Sequence, residues 1–250
     1  LVAADAADRL LLDESRSVRE ECGPNELTVI GDAYGALALG AAWEGARGIR
    51  VHQDALTGEQ AIEANAERAD LRGAIAVHPE LDADVVQGAR VVLLRLPRSL
   101  DALRDIAGLI AAHAAPDVVV YAGGRIKHMT VAMNAVLGGF FTRVDVTHAR
   151  QKSRVLVASG PHDGRDPQAD AAHVDGVDVR AFAGTFGGAR LDAGTRLLLA
   201  QLPERLPGGS VGDPWLDLAC GNGIIGAWLA TRHPSSFVVS SDPSSSAVAS

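Results

Sequence analysis

The chain has 250 residues, of which 47% are hydrophobic and 22% are charged, a composition typical of a globular protein with a sizeable core. Its net charge of −8 argues against a uniformly basic nucleic-acid binder, and two cysteines, Cys22 and Cys220, argue against a disulfide framework. No apolar run approaches the length of a membrane span, and the eight histidines lack metal-ligand spacing. We therefore expect a soluble, cytoplasmic protein with no membrane segment and no metal site.

The first two thirds of the chain alternate between helix and strand patterns. After an amphipathic helix over residues 3–16, strands are predicted at 27–30, 49–53, 90–96 and 117–121, with helices at 36–43, after 54 to about 68, at 100–114 and at 128–137. Two further strands, 140–147 and 153–158, read as an antiparallel pair. Strands separated by helices predict βαβ units and a mostly parallel sheet.

A stretch rich in Gly, Pro and Asp, residues 161–176, is the best candidate for a linker. It divides the sequence into domains of residues 1–160 and 177–250. Beyond it we predict a strand at 177–182, a helix at 192–202 capped by Asp192, and a loop over 203–214. A strand at 215–218, a helix at 224–231 and a strand at 238–242 complete the pattern.

The most informative stretch is the glycine turn between the last two of these strands. Strand, tight turn and helix N-terminus form a ligand cradle, because backbone N–H groups and the positive end of the helix dipole converge there. Residues 221–226 satisfy the dinucleotide pattern G-x-G-x-x-G, which alone supports NAD. However, Asp217 lies in the preceding strand, where a carboxylate disfavours a pyrophosphate and favours a cationic ligand such as S-adenosylmethionine.

The chain also carries an internal repeat. An offset of 188 residues places Gly35 on Gly223 and Asp54 on Asp242, so that strand, turn, helix and terminal Asp recur with the same spacing. The first copy has Val29 at the position of Asp217 and an alanine at the position of Gly221. It is therefore predicted to keep the fold and to lack the ligand site.

Residues 217–223, Asp-Leu-Ala-Cys-Gly-Asn-Gly, resemble motif I of class I methyltransferases, and 238–242 resemble the following strand with its ribose-binding acid. Phe186 and residues 191–198 resemble the segment that precedes motif I in the ribosomal RNA guanine-N2 methyltransferases. That resemblance implies an α/β fold in which a degenerate methyltransferase-like (Rossmann-like) N-terminal domain precedes the first part of a class I methyltransferase domain. It implies S-adenosyl-L-methionine as cofactor, ribosomal RNA or a ribosomal subunit as partner, and methyl transfer to a guanine N2 amine.

Carried onto this sequence, the resemblance assigns a set of residues to the cofactor: Asp217, Ala219, Cys220, Gly221, Asn222, Gly223 and Asp242, with Phe186, Asp192 and Thr195 as further members of the pocket. For Asp192 and Phe186 the alternative interpretations are helix capping and core packing. Ala219 replaces the usual first glycine of the motif. The family's catalytic Asn-Pro-Pro-aromatic motif does not occur in the sequence, so the catalytic residues are unknown and the chain is expected to be an inactive fragment of a longer enzyme.

Local positive charge suggests where RNA would bind. The candidate contacts lie in the N-terminal domain and are Arg125, Lys127, Arg150, Lys152 and Arg154. Two other functions remain open: an NAD-dependent oxidoreductase, based on residues 221–226, and a non-catalytic module that binds RNA or protein.

Overall fold

The computed structural model describes residues 4–250, which divide into two compact units with the boundary between Pro167 and Gln168. The first unit is an α/β sandwich around one sheet. Its seven strands are β1 Leu27–Ile30, β2 Ile49–His52, β3 Ile75–His78, β4 Val91–Arg95, β5 Val119–Arg125, β6 Phe141–Val146 and β7 Ser153–Pro161.

The order of the strands across this sheet is β3-β2-β1-β4-β5-β7-β6. The first five are parallel to one another, and β7 runs antiparallel to both β5 and β6. Because the strand order reverses between β1 and β4, a crevice lies at the carboxyl ends of these two strands, where open parallel sheets bind ligands.

Helices cover both faces of the sheet, as the alternating sequence pattern predicts. The helices of this unit are α1 Ala6–Arg19, α2 Ala36–Trp43, α3 Leu56–Arg68, α4 Ala83–Val86, α5 Leu100–His113 and α6 Val131–Gly138. One core forms where α1, α2 and α3 bury Leu10, Leu37 and Ile62 against the sheet. The other forms where Leu103 of α5 and Met133 of α6 pack on the opposite face.

The second unit contains a hairpin and a two-stranded parallel sheet. Its elements are β8 Asp170–Val174, β9 Val177–Ala181, α7 Ala193–Gln201, β10 Trp215–Leu218, α8 Ile224–Arg232, β11 Val238–Ser241 and α9 Ser245–Val248. Strands β8 and β9 are antiparallel, whereas β10 and β11 are parallel and joined by α8. The hairpin is fastened to α8 because Trp228 donates its indole N–H to Asp175 at 2.9 Å and Arg232 lies over the Trp228 ring.

The predicted repeat is present in the structure. An offset of 188 residues carries β1 onto β10 and the start of α2 onto the start of α8, and Gly35 and Gly223 precede these helices with φ of 89° and 71°. Both positions favour glycine because left-handed backbone is costly for residues with a Cβ. The second strand of each copy differs by one residue in register.

Three parts of the structure differ from the sequence-based expectations. Strand β3 and the single-turn helix α4 were not predicted, because an edge strand of four half-exposed residues has little apolar patterning. Residues 161–176, expected as a linker, contain β8, which pairs with β9 across the turn formed by Asp175 and Gly176. Helix α6 starts at Val131, after a 3-10 turn over Ile126–His128. The helix predicted over 3–16 forms as α1, and residue 3 lies outside the described residues.

Candidate ligand site at the glycine turn

The turn that joins β10 to α8 depends on left-handed backbone at three positions. Ala219, Gly221 and Gly223 have φ of 58°, 55° and 71°. Gly221 and Gly223 adopt this conformation without strain, whereas Ala219 carries a Cβ that disfavours it. A Cβ added to Gly223 would meet no atom within 4 Å, so the space beside this residue is open to a ligand.

Asp217 lies beneath the turn and is only 7% exposed. One carboxylate oxygen accepts the Gly226 N–H of α8 at 2.9 Å, and within the described part of the chain the other oxygen accepts no hydrogen bond. Burial raises the pKa of Asp217, and the nearby Asp242 carboxylate adds to the rise, while the Gly226 amide opposes it. A buried carboxylate with one oxygen available is electrostatically suited to a cationic ligand.

Gly226 allows α8 to lie against the strands. A Cβ at this position would come within 2.5 Å of the Ser240 hydroxyl oxygen, so a larger residue would require the Ser240 side chain or the helix to move. The close approach keeps the N-terminus of α8 at the carboxyl ends of β10 and β11. This is the packing role of the third glycine in a G-x-G-x-x-G turn.

Asp242 follows β11 and is held by two backbone groups. It accepts the Gly221 N–H and the Ser244 N–H, both at 2.9 Å. These bonds fix the direction of the carboxylate relative to the turn. An ionised carboxylate has about four lone-pair sites, so two remain for further donors such as ribose hydroxyls.

Residues 186–191 cross over the glycine turn. The Asn222 side-chain amide donates to the Gly188 carbonyl at 2.6 Å and to the Arg190 carbonyl at 3.2 Å. A Cβ at Gly221 would lie 3.4 Å from the Phe186 carbonyl oxygen. The Phe186 ring itself is 81% exposed, so the alternative interpretation of core packing is wrong for this side chain.

Asp192 caps α7, as the sequence predicts. Its carboxylate accepts the N–H groups of Gly194 and Thr195 and the Thr195 hydroxyl, the last at 2.6 Å. The hydroxyl and N–H of Thr195 hold the pKa of Asp192 below its usual value. Both predicted pocket residues are thus engaged with each other at the start of the helix.

Cys220 is half-buried within the turn, and burial together with Asp217 and Asp242 raises the pKa of its thiol. Across residues 4–250 no group of three His, Cys, Asp or Glu side chains is arranged to hold a metal ion. Over the same residues no helix is both long enough and apolar enough to cross a membrane.

The corresponding turn in the first unit is filled by its own side chain. Asp32, 1% exposed, accepts four N–H groups at 2.9 Å, those of Gly35, Ala36, Leu37 and Ala38. Ala38 corresponds to Gly226 in the repeat. The backbone N–H at this helix position therefore bonds to a carboxylate in both copies, to Asp32 of the turn in the first and to Asp217 of the strand in the second. This carboxylate was not identified from the sequence, although an acid just before an apolar helix is a recognisable capping signal.

The crevice beside that turn is closed as well. Arg95, at the carboxyl end of β4, forms ion pairs with Asp5 at 2.9 Å and Asp8 at 2.8 Å, both at the start of α1. Burial acts against ionisation of Asp5, but Arg95 and the backbone N–H groups of Ala7 and Asp8 together outweigh it and lower the pKa of Asp5 to about 2. Together with Asp32, this ion-pair group occupies the position at which such sheets bind ligands.

The predicted basic residues meet at one end of the same sheet. Arg125 ends β5 opposite Ser153, and Arg154 lies opposite Gly124 in the neighbouring register position. Arg150 and Lys152 belong to the tight turn before β7, in which the N–H groups of Arg150 and Ser153 each bond to the other's carbonyl at 2.9 Å. Arg150 also pairs with Asp13, and Arg154 is half-buried. Arg125, Lys127 and Lys152 are exposed, as is the paired Arg150.

Arg98 adds to this group and was not identified from the sequence. It is exposed in the loop after β4. Partial desolvation lowers the pKa of His128, and the positive charges of Lys127, Arg98 and Arg125 lower it further. We refer to Arg98, Arg125, Lys127 and Lys152 as the basic edge. Only the fold could reveal Arg98 as a member, because it is distant from the others in sequence.

Residues 1–162, more than half of the chain, match the family of the RLMG N-terminal domain. The chain belongs to this RLMG family. Residues 176–250 match the methyltransferase small domain. Among curated proteins, the RLMG-family chain is 29% identical over its full length to ribosomal RNA large subunit methyltransferase G from Pseudomonas fluorescens, of which it spans 66%.

Solved structures give the fold. The 16S rRNA N2 G1207 methyltransferase RsmC from T. thermophilus, in complex with AdoMet and guanosine, aligns with a TM-score of 0.72 and 19% identity over 98% of this chain and 64% of its own. The ribosomal protein L11 methylase from Lactobacillus delbrueckii aligns with a TM-score of 0.50 and 19% identity over 62% of this chain and 77% of its own. These likenesses confirm the predicted α/β class: the RLMG-family chain has the class I methyltransferase-like fold.

Proposed function

We propose that this chain is the donor-binding part of an S-adenosylmethionine-dependent methyltransferase that modifies the exocyclic N2 amine of a guanine in ribosomal RNA. The observation that carries the proposal is the buried Asp217 carboxylate beneath the glycine turn. Its support comes from the RLMG family membership and from the curated and structural relatives, whose names describe rRNA methyltransferases. We also propose two domains, predicted from the sequence at residues 1–160 and 177–250, with β8 from the intervening residues joined to the second.

The residues present fit the donor. S-adenosylmethionine supplies a methyl group activated by a positive sulfonium, and its amino group is also positive. Asp217 would balance this charge, and the open space beside Gly223 would admit the methionine part of the donor at the α8 N-terminus. Asp242 retains acceptor capacity for the ribose hydroxyls, and we propose Phe186, Asp192, Thr195, Ala219 and Cys220 as further members of the donor pocket.

The chain's contribution to the reaction is therefore to bind and orient the donor. The guanine N2 amine is a weak nucleophile because its lone pair is delocalised into the ring, so rate depends on holding donor and base in line. The first unit does not duplicate the donor site, because Asp32 and the Arg95 ion pairs fill its crevice. It instead offers the basic edge to the RNA.

Two other functions fit the glycine turn less well. An NAD-dependent oxidoreductase would place a pyrophosphate above Asp217, where a buried like charge is unfavourable. A non-catalytic RNA- or protein-binding module would not require Asp217 to be buried with an oxygen available. Asp217 therefore favours the methyl donor over both.

Titration calorimetry with S-adenosylmethionine tests the donor site. We expect the protein to bind S-adenosylmethionine and not NAD, and Asp217→Asn to weaken binding at least about tenfold. Because the pKa of Asp217 is raised, protons compete with the cationic donor, so affinity falls as the pH is lowered toward that pKa. Asp217→Asn should abolish this pH dependence.

The matched control is Asp213→Asn, which removes the same charge from the exposed loop before β10 and should leave affinity unchanged. Equal affinity for S-adenosylmethionine in Asp217→Asn, or preferential binding of NAD, would contradict the proposed donor site.

RNA binding by the basic edge is tested by salt dependence. Replacing Arg125, Lys127 and Lys152 by Ala should weaken binding to ribosomal RNA fragments. It should also lower the slope of log affinity against log salt by roughly one for each phosphate that is no longer neutralised. Arg90→Ala is the control, because this half-buried arginine is paired with Asp117 at the opposite end of β4. An unchanged slope in the triple variant would reject the basic edge as the RNA surface.

A further inference from the structure

The side chain of Asn222 makes three hydrogen bonds, one to the helix that follows it and two to the segment that crosses the glycine turn. Its carbonyl oxygen accepts the Ile224 N–H at 3.2 Å, which closes the first turn of α8. Its amide nitrogen donates to the carbonyls of Gly188 and Arg190, which belong to residues 186–191. One side chain therefore joins the glycine turn to the segment that crosses it.

The end of that segment is anchored by burial, because Ala189 and Leu191 are each 9% exposed and Leu191 packs in the core of the second unit, whereas its first half has few polar restraints. Gly187 and Gly188 have φ of 84° and 55°, and the internal backbone bonds run from Gly188 to Thr185 and from Arg190 to Gly188. Two consecutive glycines in left-handed backbone give the chain wide conformational freedom when it is not held. Among the described residues, the Asn222 amide is the side-chain donor to this segment, and it selects one conformation in which the Phe186 backbone lies next to Gly221.

The first copy of the repeat lacks this arrangement. Tyr34 stands at the position of Asn222, and its carbonyl accepts a hydrogen bond from Asn65 of α3 at 2.9 Å. In the first copy, the turn is thus hydrogen-bonded to a helix that packs on the same sheet, and not to a segment that crosses over the turn. The connection to residues 186–191 is thus a property of the copy with the open ligand cradle.

We propose that Asn222 is a positioning residue for the donor site: its side-chain amide holds residues 186–191, and with them Phe186, against the glycine turn in the conformation that binds the donor. This inference rests on the proposed function. Without the amide, only a fraction of molecules would hold the segment in place, and apparent affinity would fall in proportion to that fraction.

Three substitutions separate the two directions of the Asn222 side chain. Asn222→Asp keeps an acceptor for the Ile224 N–H and sets a carboxylate against two carbonyls. Asn222→Ser is uncharged and short, so it can still cap α8 but cannot reach the segment. Asn65→Asp is the matched control, because it removes the same kind of amide donor from the turn of the first copy.

Two measurements are made on each variant, with thermal unfolding to confirm folding. Hydrogen–deuterium exchange without ligand reports the order of residues 186–191, and titration with S-adenosylmethionine reports affinity. We expect Asn222→Asp and Asn222→Ser to exchange at least about tenfold faster in this segment and to bind about tenfold more weakly. Asn65→Asp should change neither quantity.

A double-mutant cycle with Phe186→Ala tests whether Asn222 acts through the segment. If it does, the loss of affinity in the double variant will be smaller than the product of the two single losses. Independent, multiplicative losses would overturn the inference, as would faster exchange with unchanged affinity or weaker affinity with unchanged exchange.

The outcome for the unsubstituted protein separates the two proposals. If it binds S-adenosylmethionine and the Asn222 variants bind equally well, the positioning role fails and the proposed function stands. If it binds no S-adenosylmethionine, the proposed function fails and the positioning role for a donor fails with it.

Discussion

Ala219 shows how a single residue can hold its site under strain. Its φ of 58° is left-handed, a conformation that costs an L-residue with a Cβ about 1–2 kcal/mol relative to the right-handed helical region. The motif of the resembling family has glycine there. The strained alanine keeps the turn closed, but it does so at the expense of stability.

We expect Ala219→Gly to raise the free energy of unfolding of the second unit by about 0.5–1 kcal/mol, since relief of strain exceeds the added flexibility of the unfolded chain. Urea or thermal unfolding measures this gain. The control is Ala230→Gly at an exposed position in the last turn of α8, which should lower stability by up to roughly 1 kcal/mol. A destabilised Ala219→Gly would show that the alanine methyl makes a contact that outweighs its strain.

Residue identities predicted much of the second unit's site, and some of its members could be placed only by the fold. Asp217 and residues 221–223 stand out because charge and glycine spacing are local properties of the sequence. The exposure of Phe186 and the bonds from Asn222 to Gly188 and Arg190 could not be predicted. They depend on a segment more than thirty residues away in sequence crossing the turn.

Among the helices and strands, the start of α2 is completed by Asp32. The first N–H groups of a helix have no partner within the helix, and here one buried carboxylate accepts four amide bonds from residues 35–38. These four hydrogen bonds end the turn and fix the direction of the helix relative to β1. Without them, the helix would have unsatisfied N–H donors in a buried crevice.

Asp32→Ala should destabilise the first unit by about 3–5 kcal/mol, because it leaves several buried donors unsatisfied at once. Chemical denaturation gives the loss, and faster amide exchange at the start of α2 would locate it. Asp101→Ala, an exposed acid in the first turn of α5, is the control and should cost less than about 1 kcal/mol. A comparably small loss in Asp32→Ala would refute the capping role.

Elements were predictable where burial imposes a clear pattern. Strand β1 and helix α2 match their predicted bounds because the apolar residues that they bury form a clear pattern in the sequence. Strand β3 lies at the sheet edge and β8 pairs only within a hairpin, so neither needs a continuous apolar run. The Asp175-Gly176 pair between β8 and β9 was the available hairpin signal.

For the molecule in solution, one apolar surface without a covering element matters most. Leu216, Leu218 and Val239 are exposed on the face of the β10–β11 sheet opposite α8, with Leu216 and Val239 directly paired in register. A contiguous apolar sheet face next to an open strand edge favours association.

We expect the protein to self-associate with rising concentration in sedimentation velocity, and Leu216→Lys with Val239→Lys to shift it toward monomer. Val131→Lys removes an even more exposed apolar side chain, from α6 of the first unit, and should leave association unchanged. A protein that stays monomeric across roughly a hundredfold range of concentration would show that this face does not mediate self-association.

The two copies of the repeat bond the first N–H groups of their helices to carboxylates at different positions, and this difference limits how the first copy could evolve. To give the first sheet an open cradle, the acid would have to leave position 32 and appear at position 29, where Val29 is fully buried. Removing Asp32 first leaves bare amides, and introducing Asp at 29 first brings two buried carboxylates together. Each of these substitutions, made first, lowers the stability of the first unit. The first copy of the repeat therefore has no stable single-substitution path to a ligand site.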